Sequence, residues 1–117
     1  MTAARVVRAS GELDATTVLP LRLELAEAAA AAPVVVVDAS GVTFGDCGLL
    51  NLLLQVHCRT DLRVAAPPPG VSRLFRMVGA DTVLKLYPTV REAERGGLDG
   101  AGAFRRLGLF AVGRRTR

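Results

Sequence analysis

Strands alternating with helices predict an α/β fold: a central, mainly parallel sheet of four to five strands with about four helices. Three observations lead there. Residues 34–37 are four consecutive valines with no polar alternation, as expected of a strand covered on both faces. The segments before and after this run carry apolar residues at helical spacing. Turn signals, most firmly Pro67-Pro68-Pro69-Gly70, punctuate the chain between short β-branched runs.

The elements follow in order. Residues 5–13 combine β-branched content with partial alternation and are read as the first strand. Thr16 or Thr17 is placed to cap a helix over residues 18–31, where Pro20 falls in the tolerant first turn and Val18, Leu21 and Leu25 form one apolar face. The valine strand leads through a junction loop into a second helix, expected over residues 47–59. Residues 62–65 give a short strand that the prolines end. Ser72 is expected to cap a short helix through Val78, residues 83–86 to form the last strand, and Thr89 to start a helix reaching Arg95.

Composition narrows the function classes. The chain has 117 residues, half of them hydrophobic and only 4% aromatic, which suits one domain with an aliphatic core. No segment reaches the roughly 18 apolar residues that cross a bilayer, and the N-terminus lacks the apolar run of a signal peptide. A cytoplasmic protein with no membrane partner is expected. Cys47 and Cys58 are too few for a disulfide framework, and on one helix they stand about 16 Å apart along the axis. The formal charge of +4 resides in residues 96–117, which hold five arginines against Asp99, while residues 1–95 are neutral. This divides the chain into a folded domain over 1–95 and a basic, Gly/Arg-rich tail over 96–117. A basic tail is more often a solvated appendage than a binding site, so direct nucleic-acid binding is not expected. Phe104, Leu107, Leu109 and Phe110 are the tail's apolar exception, and they could pack back on the sheet or on a second copy, which keeps a homodimer open.

Catalytic chemistry finds no constellation. His57 is the only histidine, and its neighbour Cys58 points roughly 100° away on a helix, so the two do not form a base and nucleophile pair. One histidine and two cysteines also lack metal-ligand spacing, and the glycines of the tail follow no strand as a phosphate loop would. Neither an enzyme nor a cofactor is expected.

The junction between the valine strand and the second helix is the informative site. Asp46 stands where an N-cap is wanted, at a helix start that carries roughly half a positive charge and unpaired N–H groups. The helix beyond it is nearly all apolar, so Cys47, Asn51, Gln55 and Cys58, at i, i+4, i+8 and i+11, form the narrow stripe left for water. Asp14 should lie at the same end of the sheet, because it too follows a strand that leads into a helix. Ser40 and Thr43 are the remaining hydroxyls near the junction, residue types that usually bond the backbone of a turn.

Four motifs, in order, carry a family resemblance: GELD at residues 11–14, DASGVTFGDCGLL at 38–50, the prolines leading into Val71-Ser72-Arg73-Leu74-Phe75, and VLKLYPTV at 83–90. Together they resemble the STAS domain of bacterial anti-sigma factor antagonists over roughly residues 6–95, with the family's first strand short or missing here. Laid without a gap on Asp46-Cys47-Gly48-Leu49-Leu50-Asn51, the family's D-S-S-G-L-N puts Cys47 and Gly48 on the two serines and Leu49 on the glycine. The second serine is the one a partner kinase usually phosphorylates, so the resemblance implies a degenerate phosphosite at Gly48. It also implies a protein-binding module for transcription regulation, one that binds an anti-sigma factor of the GHKL serine kinase type and so releases a sigma factor. The partner surface it implies comprises Asp14, Asp46, Cys47, Gly48, Leu49, Asn51 and Gln55. The alternative is a degenerate STAS domain acting as a small-ligand-binding or structural assembly subunit.

Overall fold

In a computed structural model, which describes residues 4–96, the valine strand decides the layout of the whole domain. The strand is β2 (Val34–Gly45), flanked in the chain by β1 (Ala4–Leu13) and α1 (Leu19–Ala31) before it. After it come α2 (Cys47–His57), β3 (Asp61–Ala65), α3 (Pro69–Met77), a 3-10 turn (Ala80–Thr82), β4 (Lys85–Tyr87) and α4 (Val90–Arg95). The four strands lie in the order β1-β2-β3-β4, and every neighbouring pair is parallel. Parallel neighbours require crossover connections, and each here contains a helix.

Val34 to Val37 are at most 5% exposed because both faces of the sheet are covered there. Val35 and Val37 join Val7, Leu62 and Val64 against α1, α2 and α3, whose Leu25, Leu52 and Phe75 complete the main core. Val34 and Val36 face the other way and pack with Ala65, Tyr87 and Ala93 of α4. A polar cluster finishes that second face. Asp61 accepts from Arg63 and from Lys85, both at 2.8 Å. Arg63 also donates to the carbonyls of Ala93 at 2.8 Å and Glu94 at 3.3 Å, supplying a cation to the end of α4. Burial pushes the Asp61 carboxyl up, but the hydrogen bonds from Arg63 and Lys85 outweigh it and hold the group below its ordinary value. Burial raises the nearby Tyr87 hydroxyl.

Several expectations are corrected. The segment read as a junction loop, residues 38–45, continues β2 and pairs with β1 as far as Gly45. Two register shifts, between Arg8 and Ser10 and between Gly11 and Glu12, each place one extra residue on β2 and break the alternation that would have marked it as strand. Gly11, at φ +79°, supplies the left-handed backbone at the second shift. Neither Thr16 nor Thr17 caps α1, whose N-cap position is Val18 without a side-chain bond. Ser72 lies inside α3 and is buried, donating to the Pro67 carbonyl at 3.3 Å, while Pro68 holds the cap position. The α2 helix stops at His57, and the last strand begins at Lys85. Thr89 caps α4 as expected, accepting from the Glu92 N–H at 3.1 Å. The readings made for the tail over 97–117, with Phe104, Leu107, Leu109 and Phe110, fall outside the described residues.

Candidate functional site

The carboxyl ends of β1 and β2 lie side by side, with Leu13 in register with Gly45, so the loops that follow them share one edge of the sheet. The Asp46 N–H donates to the Leu13 carbonyl at 3.3 Å and ties the two junctions together. Asp14 and Asp46 are the next residues in each chain segment, and they therefore neighbour each other as expected.

Asp14 organises the β1–α1 loop. Its Oδ1 accepts from the N–H of Thr16 at 2.8 Å, the Thr16 hydroxyl at 2.6 Å and the N–H of Thr17 at 3.0 Å. Thr17 Oγ1 accepts from the Asp14 N–H at 2.9 Å and donates to the Glu12 carbonyl at 2.8 Å, closing the turn from the other side. These bonds, first those from Thr16, hold the Asp14 carboxyl below its ordinary value. The two threonines thus serve the turn and not the helix.

Asp46 is the N-cap of α2, with Oδ1 accepting from the Gly48 N–H at 2.7 Å. Cys47, Asn51, Gln55 and Cys58 are all exposed, so the polar stripe lies where its spacing put it. Leu49 does not belong to it. At 2% exposure Leu49 is part of the main core, two residues from Cys47 and turned inward, which removes it from the partner surface.

Gly48 is hemmed in by backbone rather than by side chains. A Cβ built there would stand 2.7 Å from the Ala15 nitrogen and 3.0 Å from both the Ala15 Cα and the Asp14 carbonyl carbon. Those are backbone atoms of the turn that Asp14 holds, and they cannot swing aside as a side-chain end can. The absence of a side chain at 48 lets the β1–α1 loop rest on the first turn of α2.

Among the described residues neither Asp14 nor Asp46 takes part in an ion pair, in contrast to Asp61 and Asp38. Phe44, 53% exposed beside them at the end of β2, adds an apolar contact that the sequence reading passed over with the supposed loop. Ala15, Thr16 and Thr17 were also missed as members of the site; the spacing of Asp14 to two threonines was the one available signal. Arg22 of α1 reaches the stripe, donating to Gln55 Oε1 at 3.1 Å. No group of three or more His, Cys, Asp or Glu among the described residues could hold a metal, and no described helix is long and apolar enough to cross a membrane.

A four-stranded parallel sheet with the junction capped by Asp46 at the start of an apolar helix defines a class, and comparison with known proteins gives it a family. The family model described as "Mlab, STAS domain" matches residues 2–87, and the chain belongs to the STAS domain family. It is similar to an anti-sigma factor antagonist from Mycobacterium paratuberculosis, at 31% identity and a TM-score of 0.70 over 79% of this chain and 83% of that one. The anti-sigma factor antagonist SpoIIAA in its unphosphorylated form shares the fold, at 18% identity and a TM-score of 0.63 over 92% of this chain and 90% of that one. No curated protein matches the chain.

Proposed function

We propose that this chain is an anti-sigma factor antagonist that docks on an anti-sigma factor of the GHKL serine kinase type and works without the usual serine phospho-switch. The docking end comprises Asp14, Asp46, Cys47, Gly48, Asn51 and Gln55, with Phe44 beside them. The similarity at 31% identity to a solved anti-sigma factor antagonist supports the class of partner. The two aspartates, without ion pairs among the described residues, leave a surface suited to cations brought by that partner.

The observation that carries the reading is the packing of Gly48. It has no hydroxyl to accept a phosphoryl group, and the backbone at Asp14 and Ala15 occupies the space a side chain would need. The docking surface therefore holds one state, and release of a sigma factor by this chain in the cytoplasm is governed by its abundance or by the partner. The test is incubation of the full chain with the cognate kinase and ATP, followed by intact-mass analysis and a binding titration. No phosphoryl group and unchanged affinity are expected. A phosphoryl group on Ser40 or Thr43, with weakened binding, would mean that the switch has moved along β2 and would overturn the proposal.

A further inference from the structure

The α1 helix is apolar on more sides than it buries. Leu21, Leu25 and Ala28 enter the core, yet Leu19 and Leu23 are 56% and 59% exposed. A helix laid on a sheet ordinarily turns polar residues outward at such positions. Its neighbour α2 runs in the same direction, since both follow parallel strands onto one face, and between the two lies a groove of about 490 Å³. Leu52 and Val56 form its apolar floor, Ala26 and Ala29 one low wall, and Arg22 and Arg59 its cationic rim. Among the described residues no carboxylate lines it.

We propose that this groove docks an amphipathic helix of a protein partner, one whose apolar stripe is flanked by glutamate or aspartate. Small alanines on the wall let a third helix approach to the roughly 8–10 Å axial distance of packed helices, and its leucines would reach the floor. The rim selects the charge. Residues 96–117 of this chain carry five arginines against one aspartate and so lack the acidic flanks the rim calls for. A second copy placed by a two-fold axis would bring Arg22 and Arg59 against their own kind. The docking end described above is centred on the start of α2 and follows its polar stripe as far as Gln55, whereas the groove rests on Leu52 and Val56 and extends past the helix end to Arg59; Gln55, bonded to Arg22, belongs to both surfaces.

The test uses the full chain and a labelled peptide of about 15 residues, long enough for four helical turns, with leucines at i, i+3, i+4 and i+7 and flanking glutamates. Its control carries lysine in place of each glutamate. Saturable binding of the acidic peptide alone is expected, weakened by salt. The exposed pair Arg22→Glu and Arg59→Glu should lower its affinity about tenfold and turn the preference toward the lysine peptide. Ala26→Arg, which fills the groove and keeps both arginines, should also weaken binding; circular dichroism checks that each variant folds. Equal binding of the two peptides, no saturation, or indifference to charge reversal would overturn the proposal. So would a dimer of the free chain that the arginine variants dissociate, or displacement of the acidic peptide by decanoate at lower concentration.

Discussion

The two ends of the sheet treat aspartate in opposite ways. At the amino ends of β3 and β4, Asp61 is neutralised in place by Arg63 and Lys85, and Arg63 spends its remaining donors on α4. At the carboxyl ends of β1 and β2, the Asp14 and Asp46 carboxylates bond to N–H groups and hydroxyls, and among the described residues no cation pairs with them. One end is complete within the chain. The other spends its hydrogen bonds on shaping a loop and a helix start and leaves its charge for something else to meet.

Breaking the satisfied end should cost the most stability. Asp61→Asn removes the charge shared by two cations and leaves Arg63, with a side chain only 11% exposed, short of a carboxylate. A loss of about 2 kcal/mol in unfolding free energy is expected from denaturant titration, with partner binding untouched. Because the folded pKa of Asp61 lies below its unfolded value, its contribution is fully present above the ordinary carboxylate range and is lost as pH falls through the folded value. The variant should therefore show a flatter acid limb. An unchanged limb would mean that the cluster does not work as an ionic one.

Asp46→Ala should cost less, about 1 kcal/mol, the usual value of an N-cap, with the loss read by thermal unfolding. It should also weaken partner binding, which the change at Asp61 should not. The smallest effect on stability is expected from Asp14→Asn. Asparagine keeps an oxygen for the Thr16 and Thr17 donors while removing the charge of an exposed group, so the melting temperature at neutral pH should fall only slightly. Affinity for the anti-sigma factor should still fall. Asp14, with its pKa lowered in the fold, contributes above the ordinary carboxylate range and loses that contribution on acidification, a dependence the variant should lack. A large drop in melting temperature with intact affinity would move Asp14 from recognition to structure.

Much of this was legible in the chain, for identifiable reasons. Four valines in a row, the proline run and the apolar helix after Asp46 each carry a local signal, and each fell close to where it was placed. The second half of β2 did not, because two bulges break its alternation. The threonines after Asp14 were misassigned as caps because their hydroxyls are taken up by the turn, that of Thr16 donating to Asp14 and that of Thr17 bonded to the Asp14 N–H and the Glu12 carbonyl. Leu49 was placed on the partner surface by motif position, although its two-residue offset from Cys47 turns it toward the core. The contact between Gly48 and Ala15 joins residues 33 positions apart and has no local signature at all.

That contact also sets what position 48 can hold. In Gly48→Ser the new Cβ must displace the backbone of residues 14–17 or the start of α2. Amide hydrogen exchange and a partner titration on the same variant read this directly. Faster exchange at Ala15, Thr16 and Thr17 and weaker binding before any phosphorylation are expected. Wild-type exchange in the loop together with wild-type affinity would contradict that packing, because position 48 would then have had room for the serine all along.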